Sequence, residues 1–573
     1  MKSENKTCQN CKKDFIIESD DFSFYEKIKV PAPTFCPECR LQRRMSFYNL
    51  NNLFKKKDYK TGKSIFSSIP EESPFRVYES SYWWGDDWDP IEYGQDYDFS
   101  VPFFKQLKDF FIKVPFQSRA ISNLVNSDYS ANATDIKNCY LLFNAQKDEN
   151  CLYGVTIGRS KECIDAFDLF DSELCYDVFS VKNSYQTLYS ANCFNCQDVY
   201  LSKDLKNCQN CFCCINLVNK KYYIFNEQYS KEDYFKKITE FNISSYKNLI
   251  DIKNKSKEFF LRFPRKFMYG LKNLDVSGNY INNSKNVKKS FFINNSENIK
   301  YSYNLLYSNS KDSFDHSSFG NNSQLIYESQ QIGNNSSSIR FSFLCYNGNS
   351  DLEYCIGCMS SSHLFGCVSL RGKSYCIFNK QYTKEEYENL VPKIIKHMSD
   401  APYIDKKGRV YRYGEFFPSE LSPFPYNKTV AQEFFPLDKE RAIFENFWWK
   451  DKEERNYNID IKTEDIEDDI NDVNDDITNK IIECAHKGTC NQQCTEAFKI
   501  IPEELQFYKR MNLPLPRLCP NCRHYERLSQ RNPLKLWHRT CMKEGCTNEF
   551  ETSYSPDRPE IVYCEKCYQQ EVY

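Results

Sequence analysis

Asn138-Cys139-Tyr140-Leu141-Leu142-Phe143 opens a stretch in which Cys139, Cys151, Cys163 and Cys175 fall every twelve residues. Each cysteine is followed by an apolar or aromatic residue, as again in Glu162-Cys163-Ile164, and polar Asn, Asp, Ser and Lys fill the intervals. Short strands separated by polar turns at constant spacing mark a β-solenoid, in which each rung covers the apolar side chains of its neighbour. Ser184, Cys196 and Cys208 continue the step after a slip of three, and Ser290 and Ser302 stand twelve apart further on. Serine is a very poor structural zinc ligand but fits the same small interior slot, so the exchange favours an inward ladder of small residues. The alternative is extra metal at Cys193-x2-Cys196, Cys208-x2-Cys211 and Cys355-x2-Cys358.

The array is written twice. Ile224-Phe225-Asn226-x-Gln228-Tyr229-Ser230-Lys231-Glu232 returns 153 residues later as Ile377-Phe378-Asn379-x-Gln381-Tyr382-Thr383-Lys384-Glu385. Ser230 with Asp233 and Thr383 with Glu386 read as helix N-caps, so each array ends in a helix that covers its open last rung and blocks edge-to-edge pairing. The expected fold is mainly β, with two β-solenoid-like arrays, each capped by a helix.

A second duplication flanks the arrays. Cys8-x2-Cys11, Phe15, Phe24-Tyr25, Pro31-x-Pro33, Cys36-Pro37-x-Cys39-Arg40 and Arg44 match Cys490-x3-Cys494, Phe498, Phe507-Tyr508, Pro514-x-Pro516, Cys519-Pro520-x-Cys522-Arg523 and Arg527, without a gap from the second cysteine onward. Two Cys pairs a few tens of residues apart can place four thiolates tetrahedrally around Zn²⁺, and Cys-Pro-x-Cys makes the knuckle such a site needs. This pattern resembles the small treble-clef or zinc-ribbon domain, a resemblance that implies a fold and a metal but no reaction. Cys541-x4-Cys546, Phe550 and Cys564-x2-Cys567 give a third module whose short insert suits a zinc ribbon on a β-hairpin. Three structural Zn²⁺ ions are expected, since modules this short bury too little apolar surface to fold alone. Free or disulfide-bonded Cys pairs are the bland alternative. Cys484 and His486 lie just upstream of the second module as a reserve ligand pair.

Composition fits this outline. The chain has 573 residues, 40% of them hydrophobic and 16% aromatic, with 28 cysteines, 17 glycines and a net charge of -2. These values indicate several folded domains without bulk attraction to nucleic acid or anionic membrane. There is no Gly-x-Gly-x-x-Gly and no P-loop motif. Met1 opens a polar segment with no secretory h-region, and no run approaches the ~20 apolar residues of a spanning helix, so a cytoplasmic protein with reduced thiols is expected.

The expected organisation is an N-terminal treble-clef module (1–50), an aromatic and acidic connecting and capping segment (51–118), the first array with its cap (119–245), and the second array with its cap (246–400). An extended aromatic arm (401–450), an acidic linker (451–479), a second treble-clef module (480–535) and a C-terminal zinc ribbon (536–573) follow. In the connecting segment, Trp83-Trp84-Gly85-Asp86-Asp87-Trp88-Asp89-Pro90 reads either as a stacking platform for a ligand or as aromatics sealing one end of an array, and packing is the commoner use of such residues. Phe103 to Val114 has helical apolar spacing. The acidic linker carries eight carboxylates between Glu464 and Asp476, a solvated, flexible run unless it folds back on a basic zinc module.

The order of zinc module, Trp-Asp-Pro-x2-Tyr-Gly, Asn-Cys-Tyr repeats, Ile-Phe-Asn-x-Gln-Tyr caps, Gly414-Glu415-Phe416-Phe417-Pro418 and terminal zinc modules resembles, over nearly its full length, a group of uncharacterised bacterial cysteine-rich repeat proteins from reduced genomes. No activity comes with that resemblance. Some members carry an automatic CaiB/BaiF CoA-transferase label, but such an enzyme needs a glycine-lined nucleotide-binding fold and an Asp nucleophile, which this Gly-poor repeat chain lacks.

Residues 1–63 hold 14 Lys and Arg against 8 Asp and Glu, and residues 480–540 hold 11 against 5, so the zinc modules are the basic parts. Arg40, Arg43 and Arg44 follow the first knuckle and Arg523, Arg527 and Arg531 the second, an arrangement suited to phosphate contacts. The resulting expectation is a zinc-binding, non-catalytic scaffold that grips RNA or DNA through these modules, unless the arginines pair with nearby carboxylates. A protein-interaction scaffold using the solenoid face is the alternative, and a carbohydrate-cleaving solenoid a remote one, since no carboxylate pair or His motif singles out a catalytic centre.

Overall fold

The computed structural model describes residues 2–306, 308–453 and 456–572. Its two arrays are parallel β-solenoids, one from Ile121 to Ile224 and one from Gly270 to Ile377. From Asn132 to Phe225 every third residue has positive φ, and none of them is glycine. The unit is therefore a triplet: a left-handed corner residue, an inward residue and a surface residue, as in Asn138 (φ 52), Cys139 and Tyr140. Four triplets make one twelve-residue rung, so that Ile164 pairs with Tyr176 and Ala166 with Val178. Asn and Asp tolerate left-handed backbone better than other L-residues, which explains why these arrays are rich in both. Their side chains add a second bond. Asn195 Nδ2 donates to Asn207 at 2.8 Å and Asn207 Nδ2 to Asn219 at 2.9 Å, building ladders from rung to rung.

The triplet corrects one expectation. Cys139 to Cys175 and Ser160, Ser172, Ser184, Cys196 and Cys208 are two adjacent inward columns, one triplet apart, and the pairings Glu173 to Tyr185 and Tyr176 to Leu188 run through without a slip. Spacing does change in the second array, where Lys311, Gln324, Ser337 and Ser350 pair in steps of thirteen. The extra residue sits at a corner with two consecutive left-handed residues, Asn334-Asn335 and Asn347-Gly348.

Inside, thiol and hydroxyl make the same bonds. Cys163 Sγ donates to Lys161 O at 3.2 Å and accepts the Cys175 N–H at 3.4 Å, while Ser172 Oγ donates to Phe170 O at 2.8 Å and accepts the Ser184 N–H at 3.1 Å. Ser290 accepts the Ser302 N–H in the same way in the second array, at 3.0 Å. Burial pushes the Cys139 thiol up to about 12, so it stays a neutral small side chain. Among the described residues the Cys193, Cys208 and Cys355 pairs form no metal-binding group. All 28 cysteines are free, which removes the disulfide alternative. Asp148 stands in the same column as Ser160, accepts the Gln146 and Ser160 N–H groups at 3.0 and 2.9 Å, and is pushed by burial up to about 7.

Each array ends alike. Asn226 bridges both backbone groups of Ile215, and Asn379 those of Val368, each bond at 2.9 Å. The helices Lys231–Glu240 and Lys384–Asp400 follow, with Ser230 accepting the Asp233 N–H and Thr383 the Glu386 N–H. Phe143, Val155, Phe167 and Phe179 of the first array share a core with Phe291, Phe292 and Tyr303 of the second. Phe103–Lys113 is the expected helix and lays Phe103 against Phe365 and Phe378. Trp83 and Trp88 are buried with Met359, and Arg371 lies over the Trp83 ring at 5.2 Å, so these two seal the array, while Trp84 stays exposed.

The acidic segment departs from a flexible linker. Residues 454 and 455 lie outside the described set, but Ile466, Ile470, Val473 and Ile477 are buried against the second cysteine module, and Ser244 and Ser245 donate to Asp469 and Asp468. Apolar residues every three or four positions make this run a strap that turns Glu464, Asp465, Glu467, Asp472, Asp475 and Asp476 outward. No described helix is long and apolar enough to cross a membrane.

Candidate metal centres and their docking faces

One local rule builds all three cysteine modules. A β-hairpin carries the first two thiols at its turn: Glu4–Thr7 with Asp14–Ile17, Ile482–Glu483 with Ala497–Phe498, and Trp537–Thr540 with Glu549–Thr552. The residue after the first strand donates its N–H to the carbonyl two residues beyond the second thiol, Cys8 to Lys13, Cys484 to Glu496 and Cys541 to Asn548, at 2.9, 2.7 and 2.8 Å. The second pair opens a helix: Cys36 before Pro37–Met45, Cys519 before Pro520–Leu528 and Cys564 before Glu565–Val572. There the N–H of the third cysteine reaches back to Sγ of the first, Cys36 to Cys8 at 3.2 Å, Cys519 to Cys484 at 3.3 Å and Cys564 to Cys541 at 3.3 Å.

The sulfurs of Cys8, Cys11, Cys36 and Cys39 lie within 4.8 Å of one another, as do those of Cys484, Cys494, Cys519 and Cys522, and those of Cys541, Cys546, Cys564 and Cys567. A tetrahedral ion bound at about 2.3 Å sets its sulfurs about 3.8 Å apart. Cys11 and Cys36 are 3.7 Å apart, Cys484 and Cys522 3.9 Å, and Cys546 and Cys564 3.9 Å, so each quartet could hold one ion. One thiol in each of the first two quartets is driven down and its neighbours up: hydrogen bonds from Cys36 and Cys39 push Cys8 far below its ordinary range while Cys39 is raised, and those from Cys484 and Cys522 do the same to Cys519 while Cys522 is raised. Burial opposes ionisation at Cys564, but Asn548 and Cys567 hold it at about 6. Thiolate is the form that binds metal.

Two expectations change here. The second quartet takes Cys484 instead of Cys490, because the first ligand is the residue that directly follows the first hairpin strand, and nine residues separate Cys484 from Cys494 where two separate Cys8 from Cys11. Cys490 stands beside His486 and Cys522 in an overlapping group. The C-terminal module also ends in a helix, giving it the hairpin-helix order of the other two.

A fourth hairpin of this design was not anticipated. Phe54–Lys57 pairs with Ser64–Ser67, Asp58 donates its N–H to Lys63 O at 2.8 Å, and the Glu79 N–H reaches back to Asp58 Oδ1 at 2.9 Å. Asp58, Thr61 and Glu79 thus occupy the places of Cys8, Cys11 and Cys36, and the Thr61 N–H and Oγ1–H to Asp58 Oδ2, both 2.7 Å, close the turn without metal. The spacing Asp58-x2-Thr61-Gly62-Lys63, parallel to Cys8-x2-Cys11-Lys12-Lys13, was the legible signal.

The six arginines expected to meet nucleic acid are turned inward. Arg40, Arg43, Arg44, Arg523, Arg527 and Arg531 expose no more than 6% of their side chains. Arg40 pairs with Asp315 at 2.8 Å, Arg44 with Asp315 and Glu328 at 2.9 and 3.1 Å, and Arg43 with Glu328 and Glu415 at 2.8 and 3.2 Å. In the second module Arg523 pairs with Asp165 and Glu504 at 3.1 and 3.0 Å, Arg527 with Asp165 and Asp177 at 3.0 and 3.6 Å, and Arg531 with Glu433 at 3.5 Å. They hold the modules on the solenoids and present no face to phosphate. The two dockings are equivalent and crossed. Asp165 and Tyr176-Asp177 of the first array receive the later module, and Asp315 and Tyr327-Glu328 of the second receive the N-terminal one. Tyr25 meets Tyr327 at 5.5 Å between ring centres as Tyr508 meets Tyr176 at 5.4 Å.

The solenoids leave two grooves open, lined largely by polar side chains, and also expose Val125, Phe194, Leu271 and Leu274. A groove of about 800 Å³ runs along the second array past Asn295, Asn309, Asn322, Lys311 and Gln324, and one of about 760 Å³ along the first past Asn183, Asn195, Asn207, Lys161 and Gln197. Of the bordering carboxylates, Asp171 pairs with Arg159 at 2.5 Å and Glu297 with Lys285 at 3.2 Å.

No family model and no curated protein matches the chain. Among solved structures, a provisionally assigned acetyltransferase from Desulfovibrio desulfuricans G20 aligns over 51% of this chain and 86% of its own at 9% identity, with a TM-score of 0.10, a value at which the likeness carries no argument.

Proposed function

We propose that this chain is a zinc-stapled, non-catalytic scaffold that takes a protein partner along its solenoid grooves, in the cytoplasm, as one of the bacterial cysteine-rich repeat proteins its motifs resemble. Zinc suits four thiolates at tetrahedral spacing, and a closed quartet leaves no coordination position for a reacting water. The observation that carries the reading is the burial of the arginines. With both basic clusters consumed in docking, two long polar grooves remain as the extended surfaces on offer.

Photo-crosslinking tests it. A photoreactive residue at Gln197 or Gln324 should give nuclease-resistant protein adducts in cells, whereas one at Lys236, on a cap helix, should not. Adducts made of nucleic acid, sensitive to nuclease and lost steeply with rising salt, would overturn the proposal in favour of phosphate binding.

A further inference from the structure

We propose that the 480–535 module holds a second metal ion, gripped by His486, Cys490 and a bridging Cys522. The inference rests on the reading that the quartets bind metal. His486, Cys490 and Cys522 each offer a ligand atom within 4.8 Å of the other two. Cys490 Sγ lies 3.7 Å from Cys522 Sγ, the ligand-to-ligand edge seen inside the quartets. Cys490 is not needed for the first ion, which already has four thiols in Cys484, Cys494, Cys519 and Cys522.

A second observation points the same way. His486 Nδ1 is buried and has no hydrogen-bond partner among the described residues, an arrangement that is costly unless something outside the chain takes the nitrogen's lone pair. The loop that brings these groups together is tied down at its far end, where Gln493 accepts from Lys428 Nζ at 2.6 Å and donates to Tyr525 Oη at 2.9 Å. The hairpin turns of the other two modules place two and four residues between their thiols, but this one uses nine, turning at Lys487, Gly488 and Gln493 through left-handed backbone. The Lys487 N–H to Cys484 O bond at 2.7 Å and the Thr489 N–H to His486 O bond at 2.8 Å fold that loop back over Cys522.

The charge also balances better with two ions. Five thiolates and a neutral imidazole around two Zn²⁺ carry one net negative charge, against two for a lone ion held by four thiolates, and a thiolate sulfur has lone pairs enough to bridge. The second ion would have three protein ligands and one position for water or an outside donor. His486 and Cys490 are partly exposed, so that position can be reached from solvent. This ion would therefore exchange faster than those in the closed quartets.

The test is metal counting by native mass spectrometry on the full-length chain loaded with Zn²⁺ alone. About four ions per chain are expected, falling to about three in His486→Ala and in Cys490→Ser with unchanged circular dichroism, because the first quartet is untouched. Three ions in the parent and in both variants would overturn the second position while leaving the structural reading standing. A chain that binds no zinc would refute both.

Discussion

Removing Arg44 alone should destabilise the N-terminal docking by about 3 to 5 kcal/mol, the usual cost of leaving a buried charge without its partner. The cluster it belongs to is neutral as built, Arg40, Arg43 and Arg44 facing Asp315, Glu328 and Glu415. Arg44 is fully buried and touches two of those carboxylates. Arg44→Met keeps much of the side-chain volume but leaves one net negative charge walled off from water. Adding Glu328→Gln to that variant restores neutrality, so the double variant should be more stable than the single one by roughly 1 to 3 kcal/mol, a coupling typical of contacting residues. Denaturant midpoints, together with the rate at which protease cuts near residue 50, would measure both. If Arg44→Met were as stable as the parent, or if the second change added its full cost to the first, the account of these arginines as internal docking groups would be wrong.

The two classes of cysteine should separate cleanly. Cys39→Ser, or a strong chelator, should unfold the N-terminal module and release it to protease, whereas Cys163→Ser should shift stability by no more than about 1 kcal/mol, because serine makes the same ladder bonds. At Asp148 the sign is set by a folded-state value of about 7, raised above the ordinary carboxyl range by burial. Its protonated form is the one folding favours, so the stability it contributes is complete below about pH 4 and is lost as pH rises through 7. Asp148→Asn should therefore stabilise by up to roughly 4 kcal/mol at pH 8 and by almost nothing at pH 4, read from denaturant midpoints at the two values. Asn349 already holds the corresponding inward place in the second array, where its Oδ1 accepts the Ser361 N–H at 3.1 Å.

A solenoid writes its period into the chain, so the arrays, their duplication and their caps could be read from Cys139 and its successors. The triplet beneath the period could not, because left-handed corners are taken by Leu141, Tyr153 and Thr156 as well as by Asn and Asp, and only backbone geometry reveals them. Cysteine spacing located the first and third quartets. It chose Cys490 over Cys484 because spacing does not say which residue leaves the hairpin strand. The arginines were conspicuous as charge, but their partners lie hundreds of positions away and carry no local mark. In the acidic strap the carboxylates hid an apolar rhythm at Ile466, Ile470, Val473 and Ile477 that was present all along.

The crossing of the two dockings imposes a timetable on synthesis. Arg44 leaves the ribosome 271 residues before Asp315 and 284 before Glu328, so at about 5 to 20 residues per second the first module waits some 15 to 50 s for its seat. The first array must wait for the final eighth of the chain before Arg523 and Arg527 can reach Asp165. A chain cut short anywhere before that point leaves Asp165 and Tyr176 without the arginines and Tyr508 that cover them.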